Sequence, residues 1–479
     1  MWAIVTGITY RVPFPFEELD YEDSVEALHH TLKFGICPLV ETVQDMLTEL
    51  DDPDLRYTCV QIAGTNGKTS TARYVAAILA GEGKSVALYT SPELVSYTER
   101  MEVSGRPVSE EAFAHGVSAA IEAGRRVNAR RSDRGDRPYD VTEFDLLTVA
   151  ACVVFAEAGV DAAVLEVGMG GRWDATSAAK SITCVGITGI GLDHTRILGD
   201  TLEAIAAEKA AVIQSGRSCV LGPGVALPES VEDVFLDRAR EQGVTPTLVR
   251  ALHAEDVAGI MHDGQPRAHD ELPLVSFEVM AHPQRLGAPL QLSVNTVRAT
   301  YEVGALKPSY QAANIACAVA LAETYLGRAL DHGRLFESVV TCPTPGRFDV
   351  VRPNPLGLVD ACHNPQSVEV FLTAVRAIER DVANRPALLC AVLADKDVDG
   401  IVGLLAGEFP SVVVTQTSSP RALAAEELAE LFLAKGAKVA GAYPTVADAL
   451  AAFADEPFVA CGSITTAGEV AGLLRRGTS

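Results

Sequence analysis

The sequence is short of several things, and each shortage narrows what the chain does. Its ten cysteines form no CxxC pair and sit mostly within apolar runs, as at Cys59, Cys152, Cys184 and Cys390. That is the pattern of reduced, buried thiols in a cytoplasmic protein rather than of a disulfide framework. Apolar stretches are all interrupted before about 18 residues, so no membrane span is expected. Met1–Phe16 is mildly apolar but has no basic n-region and no cleavage site, which argues against a signal peptide. Basic residues are in deficit: 39 Lys and Arg face 63 Asp and Glu, a formal charge of -24. A general nucleic-acid binder needs a net basic face, so that class is set aside. The acidic surplus reads as solubility and leaves room for a local basic pocket that binds an anion. Internal repeats and low-complexity segments are absent.

At 479 residues the chain is too long for one ordinary core and predicts two or three domains. Hydrophobic residues at 48% and charged residues at 21% fit a folded globular protein. From Tyr57 onward, short apolar runs alternate with helical patterns. Strands are predicted at Thr58–Ala63, Ser85–Tyr89, Ala162–Val167 and Ile182–Ile187. Helices are predicted at Thr69–Ala80, Glu110–Val127, Glu143–Glu157 and Leu202–Ile213. Continuous apolar strands between helices predict an α/β fold with a parallel sheet covered on both faces. Arg125–Asp140, rich in Arg, Asp and Gly, reads as a solvated loop, or as a basic segment that touches an anionic ligand. His269–Tyr301 alternates in the manner of a short β-rich insertion, and Gln311–Tyr325 reads as an Ala-rich helix. A second alternating pattern begins near Pro343. Its strands are predicted at Leu356–Asp360, Ala387–Leu393, Ser411–Thr415 and Phe458–Ala460. Its helices are predicted at Ser367–Ile378, Ala424–Ala434 and Val446–Phe453. With the Pro-Gly-rich Cys342–Arg347 as junction, the boundaries become 1–341 and 342–479.

Val60–Ser70 ends a strand and opens a helix, and within it runs Gly64-Thr65-Asn66-Gly67-Lys68-Thr69-Ser70. Glycines let the backbone curl until its N–H groups point at phosphate oxygens, and the helix N-terminus adds partial positive charge. Lys68 supplies a full charge at the β- and γ-phosphates, and a hydroxyl of Thr69 or Ser70 can reach a magnesium ion. The spacing G-x-x-G-K-T is one or two residues shorter than the common phosphate loop. The alternative is a tight turn with a solvent lysine, which the strand-and-helix context disfavours. Glu166 ends a buried strand ahead of Gly168, Gly170 and Gly171, and Asp193-His194 follows another strand. Carboxylate and imidazole at the carboxyl edge of a parallel sheet can hold magnesium beside ATP. Taken alone, Glu166 could equally cap a helix. Lys209 stands in the otherwise apolar Ala206–Ala211, where a lysine can simply reach out to water.

Together these residues resemble the folate branch of the Mur ligase family, the folylpolyglutamate and dihydrofolate synthases. Gly64–Ser70 is similar to the family loop GTNGK. Ser91-Pro92-Glu93-Leu94 with Glu99-Arg100 and Gly105 resembles SPHL…ER…G. Leu165–Arg172 with Asp174-Ala175-Thr176 resembles EVGLGGRLDATN. Leu192-Asp193-His194, Leu198-Gly199 and Glu208-Lys209-Ala210 resemble DH…LG…EKAG. Gln311–Asn314, Pro345–Phe348 and Asp360–Pro365 resemble HQxxN, PGR[FL] and DGAHNP. Seven matches in order, from about Thr58 to the C-terminus, are specific where one would be weak.

The resemblance implies a phosphate-loop ATPase domain followed by a smaller Rossmann-like domain, with the active site between them. It implies ATP and two magnesium ions, with Ser91, Glu166 and His194 as ligands. Lys209 would be carbamylated and hold the second ion, a role compatible with a desolvated lysine that loses its proton. Lys68, Lys209 and His194 would carry the chemistry. Asn314, Arg347, Asp360 and His363 would join Gly64, Thr65, Asn66, Gly67, Lys68, Thr69 and Ser70 around the nucleotide. The implied reaction joins L-glutamate to a folate through an acyl phosphate, on small molecules alone, by a monomer. The alternative is a Mur-type ligase acting on a different carboxylate, or a nucleotide-binding protein without catalysis. Some positions depart from the pattern. Thr69 stands for Gly, Glu93 for His, Ser177 for Asn, Tyr310 for His, Ala211 for Gly, and Ala361-Cys362 for Gly-Ala.

Overall fold

A computed structural model of the chain describes residues 10–31, 39–253, 256 and 267–476. Residues 1–9 of the segment read as lacking a leader, and Cys37, lie outside that part. The chain divides into two compact units. The first comprises Met1–Glu278, Ser293–Val303 and Ala313–Cys342; the second comprises Val279–Leu292, Gly304–Ala312 and Pro343–Ser479.

Among the described residues, seventeen strands make two sheets. The larger contains β1 (Thr58–Ala63), β2 (Val86–Tyr89), β3 (Met101–Val103), β4 (Arg106–Pro107), β5 (Ala162–Glu166) and β6 (Ile182–Gly189). It also contains β7 (Ser218–Gly224), β8 (Thr247–Ala251), β9 (Leu274–Ala281), β10 (Leu290–Asn295) and β11 (Thr300–Ala305). Their order is β11-β10-β9-β8-β7-β6-β1-β5-β2-β3-β4. The middle is parallel: β1 pairs with β5 and with β6, and β2 pairs with β5. The edge strands β3 and β4 turn antiparallel. The segment predicted as a β-rich insertion supplies β9, β10 and the start of β11 to this same sheet.

β1 is buried along almost its whole length because helices cover both faces of the sheet. In its middle, Gln61 is fully buried and donates to Thr176 Oγ1 and Ser177 Oγ, each at 2.9 Å. The helices that matter for the site are α1 (Tyr21–His30), α2 (Val40–Glu49), α3 (Lys68–Gly81) and α4 (Glu110–Asp133). They are followed by α5 (Glu143–Glu157), α6 (Thr195–Leu198) and α7 (Leu202–Ala210). α5 begins at a capping box, in which Thr142 and Asp145 satisfy each other's backbone N–H groups.

One expectation fails. Arg125–Asp140 is not a loop throughout, because α4 runs on to Asp133. Charge pairing at helical spacing carries it. Glu122 accepts from Arg125 and Arg126, each at 2.7 Å, and Glu49 of α2 pairs with Arg130. Arg131 lies 3.7 Å above the Tyr139 ring. The basic run is thus largely matched by acids and an aromatic ring of its own chain.

The second unit holds β12 (Asp349–Pro353), β13 (Leu356–Val359), β14 (Ala387–Cys390), β15 (Val412–Thr415), β16 (Val439–Tyr443) and β17 (Phe458–Cys461). Their order is β12-β13-β17-β14-β15-β16, with all but the β12–β13 pair parallel. Phe348, Phe371, Phe432 and Leu388 fill its core against helices such as Pro365–Ile378. β16 was not foreseen; its residues alternate between half-buried and exposed, so its apolar signal is weak. None of the nine described cysteines is in a disulfide, and all nine are buried. Among the described residues, no helix is long and apolar enough to cross a membrane.

Candidate functional site

β1 ends at Ala63, α3 begins at Lys68, and the turn between them has little freedom. Gly64 has φ 148°, and a Cβ there would sit 2.0 Å from Thr188 Oγ1. Gly67 has φ 82°, and a Cβ there would sit 2.4 Å from Asn314 Oδ1. Both positions require glycine. Thr65 N donates to Gly189 O at 2.8 Å, and Gly191 N donates to Thr65 Oγ1 at 3.1 Å. Thr188 Oγ1 donates to Asn66 O at 2.6 Å. The loop is therefore built onto the end of β6. Its backbone meets the N-terminus of a 14-residue helix, where free N–H groups and the helix dipole favour an anion. Lys68 Nζ donates to Thr65 O at 3.1 Å, and Ser70 is buried.

Glu166 closes β5 next to this loop, because Ile62 of β1 is in register with it. Its side chain is buried. Thr69 Oγ1 donates to Glu166 Oε1 at 2.8 Å, and Ser91 N approaches Oε2 at 3.3 Å. Thr69, Ser91 and Glu166 are thus brought together, Ser91 through its backbone N–H, and the side chains of all three carry oxygen donors. Magnesium takes such a set when one or two carboxylates and nucleotide phosphates share it. The residues fit that ion. Among the described residues, no three His, Cys, Asp or Glu gather around one metal position. His194 lies at the end of the β6 loop as the N-cap of α6, with φ 51°. It is about half exposed, and its ring nitrogen is 3.6 Å from Asp193. Its described partner is Asp193 and not Glu166.

Lys209, near the end of α7, is buried to 4% exposure, and its Nζ donates to Gly64 O at 2.9 Å. Burial, and next the positive charge of Lys68, push its pKa down to about 7, against the opposing pull of Asp193 and Asp174. The lysine does not reach out to solvent. α7 is tied in turn to the glycine-rich turn after β5. Arg172 Nε donates to Glu208 Oε1 at 3.0 Å, and Arg172 N donates to Glu208 O at 3.0 Å.

In the second unit, Asp360 follows β13 and is buried, which holds its carboxyl above the usual range while Arg347 opposes the shift. It accepts from Phe348 N at 2.8 Å and from Cys362 N at 2.9 Å. It thereby joins the Pro345–Phe348 turn to the Asp360–Pro365 segment. Phe348 has φ 48°, rare for an aromatic residue, and its ring is buried 5.9 Å from that of Phe371. His363 Nδ1 meets Ala361 O at 2.9 Å, and the Asn364–Ser367 capping box opens the next helix. Asn314 belongs to the first unit, where Thr71 Oγ1 also approaches its Oδ1 at 3.4 Å.

Three contributors were not read from the sequence. Thr188 pins the phosphate loop, and a threonine near the end of an apolar strand gave little notice of it. Asp174 accepts from Met169 N at 3.0 Å, Thr176 N at 3.0 Å and Thr176 Oγ1 at 2.5 Å. It lies in a segment quoted for its resemblance but given no role. Lys307 is buried and donates to Phe348 O at 3.2 Å and, at 3.4 Å, to Arg347 O. Nothing in its local pattern marks it.

Two family models match the chain. The Mur ligase middle domain covers residues 62–221, and the Mur ligase glutamate ligase domain covers 346–457. A Mycobacterium tuberculosis dihydrofolate synthase/folylpolyglutamate synthase is 32% identical over 406 residues, covering 82% of this chain and 77% of that one. The M. tuberculosis folylpolyglutamate synthase structure complexed with ADP and AMPPCP superposes with a TM-score of 0.76 at 28% identity, covering 95% and 99% of the two chains. The Escherichia coli FolC structure in complex with DHPP and ADP gives 0.74 at 25% identity, covering 97% and 100%. The ordered motifs, the two sheets and these likenesses agree, and the chain belongs to the dihydrofolate synthase/folylpolyglutamate synthase branch of the Mur ligase family.

Proposed function

We propose that this chain is an ATP-dependent ligase that joins L-glutamate to a folate. The observation that carries the reading is that Lys68 and Thr69 at the phosphate loop, Glu166 at the end of β5 and Lys209 on α7 are gathered around that one loop, with Thr69 bonded to Glu166 and Lys209 to Gly64. The terminal phosphoryl group of ATP passes to a carboxylate of the acceptor, which becomes an acyl phosphate. The amine of L-glutamate then attacks the acyl carbon through a tetrahedral intermediate and expels phosphate. Lys68 and the N-terminus of α3 hold the nucleotide phosphates and offset the charge that develops during transfer. Magnesium, when bound, neutralises charge on the transferred group. Thr69, Ser91 and Glu166 would hold that ion, with His194 as a further ligand.

Lys209 takes up carbon dioxide in this reading. An ammonium group cannot add to carbon dioxide, whereas the neutral amine can. Burial and the neighbouring Lys68 favour that neutral form near pH 7. The resulting carbamate would be a fourth oxygen donor group beside the loop. Asn314 positions the nucleotide beside Gly67 within the first unit. The acceptor is placed in a cleft of about 670 Å³ whose lining includes Tyr21, Val25, His29, Val95, Ser96 and Tyr97. The cleft begins four residues beyond Ser91. Its aromatic and aliphatic residues suit a flat ring system, and Glu22 and Glu26 of α1 border them.

ADP release, measured with ATP, magnesium and L-glutamate while the acceptor is varied, tests the function. Stimulation by reduced folates is expected. Stimulation by a different carboxylate alone would replace the folate with that acid, and Glu93 in place of the family's histidine gives that second reading its footing. Lack of stimulation by any acceptor would overturn ligation altogether.

A further inference from the structure

The departure at Glu93 is not an isolated change. Arg100 Nε donates to Glu93 Oε2 at 2.5 Å, and the two side chains are only 12% and 22% exposed. Arg100 also stands 5.3 Å over the centre of the Tyr97 ring. Tyr97 lines the cleft, and its hydroxyl donates to Glu143 Oε1 at 2.8 Å at the start of α5. The loop between these residues is fastened a second time, since Glu99 Oε2 accepts from Leu94 N at 2.9 Å and from Val95 N at 3.2 Å. Its other end is Ser91, whose N–H faces Glu166. Thr90 N closes the base by donating to Arg100 O at 3.0 Å.

One loop therefore has the phosphate side of the site at Ser91 and the cleft wall at Tyr97. Glu93 is the carboxylate that neutralises the arginine on which that wall rests. A half-buried guanidinium without a partner would seek another acceptor or water and leave the Tyr97 ring. We propose that the Glu93–Arg100 pair is a positioning element for the acceptor: it fixes Tyr97 in the cleft wall and consumes the arginine's charge, so that the wall receives an uncharged aromatic ring rather than a carboxylate. This rests on the acceptor site assigned above. Glu93 and Arg100 touch neither the nucleotide loop nor Lys209 in the contacts described, so their effect should fall on the acceptor and not on ATP.

The experiment compares wild type with Glu93→Gln, Glu93→Asp and the exchanged pair Glu93→Arg/Arg100→Glu. Steady-state rates are measured with tetrahydrofolate, L-glutamate and ATP. Binding of tetrahydrofolate is also titrated calorimetrically with AMPPNP and magnesium present. Glu93→Gln should raise KM for tetrahydrofolate about tenfold and weaken its Kd alike, with kcat and the KM for ATP within about twofold. Glu93→Asp should stay within about threefold of wild type, and the exchanged pair should recover most of the loss because a paired charge is restored. If Glu93→Gln does not fold, the smaller rise in Glu93→Asp, up to about threefold, should still be confined to the KM for tetrahydrofolate and leave that for ATP unchanged. Equal rises in KM for tetrahydrofolate and ATP, or an unchanged KM for tetrahydrofolate with only a lower melting temperature, would overturn the role. Wild-type enzyme that tetrahydrofolate does not stimulate would refute the function itself, and the positioning role would fall with it.

Discussion

Lys209 donates its Nζ to the carbonyl of Gly64 across 2.9 Å, so the buried lysine touches the first residue of the phosphate loop directly. A group with a pKa near 7 in that place is a neutral amine for much of the physiological range. Lys209→Arg keeps the positive charge but cannot lose its proton. The variant should fold yet lose ligation by at least about 100-fold, the scale of a removed transition-state contact. ADP release measures that loss. A carbamate carbon signal, seen by nuclear magnetic resonance with ¹³C-labelled bicarbonate in wild type, should be missing from the variant.

Thr69 gives its hydroxyl to Glu166 at 2.8 Å. Thr69→Val keeps the shape and removes the donor, whereas Thr69→Ser keeps it. The magnesium concentration for half-maximal rate should rise about tenfold in the valine variant, as for lost outer partners of metal ligands. It should stay near wild type in the serine variant. Equal behaviour of the two would remove the hydroxyl from the argument.

Gly64→Ala should be among the most damaging small substitutions in the chain. The added methyl meets Thr188 Oγ1 at 2.0 Å in a backbone conformation that side chains avoid. Relief requires the loop to shift away from β6, at about 1–3 kcal/mol for overpacking plus strain. Titration with a fluorescent ADP analogue should show affinity weakened by at least about tenfold, given about 1.4 kcal/mol per decade.

His115 of α4 lies between two acids, with Nδ1 3.0 Å from Glu18 and Nε2 3.2 Å from Glu157. Phe16 meets the same ring edge-on at 5.2 Å. Hydrogen bonding to Glu157 raises its pKa above the ordinary value, burial opposes the rise, and Glu18 adds to it. The imidazolium therefore stabilises the folded chain fully below the unfolded pKa of about 6.5, and the benefit is lost as pH rises through the folded value. His115→Gln should lower the melting temperature more at pH 5.5 than at pH 8.5. An equal decrement at both pH values would show that packing alone is at work.

Lys307→Met should weaken the second unit. The buried ammonium donates to the carbonyls of Phe348 and Arg347, and methionine removes both bonds, leaving Arg347 O with Thr344 Oγ1. The loss should be about 1–3 kcal/mol for unsatisfied buried groups. Urea unfolding followed by fluorescence should report it as a lower midpoint with an unchanged slope.

Much of this arrangement was legible in the residues. The central strands and the phosphate loop announced themselves because a strand buried on both faces must be continuously apolar, and because Gly64 and Gly67 interrupt it at once. Lys209 showed the limit of local reading. Its apolar neighbours suited either a lysine reaching water or one held inside, and only the tertiary contact with Gly64 decides. The Arg125–Asp140 region misled because Gly135 and the acids suggested a turn early. Glu122 and Glu49, each at a distance the composition does not reveal, extend the helix to Asp133. Thr188 and Lys307 act through backbone carbonyls of remote turns, which no spacing rule encodes.

β1 is held by parallel partners on both sides, with Ile62 opposite Glu166 on one and Gly186 on the other. A slip of one residue in any of these three strands would turn Glu166 to the opposite face of the sheet. Insertions or deletions inside β1, β5 or β6 should therefore be lethal to the enzyme. The loop from Glu93 to Tyr97 is paired to no strand among the described residues, and its lettering can change, with Ser91 kept, while the phosphate grip survives. An attempt to retarget the enzyme to another acid should spend its library there and leave the three strands alone.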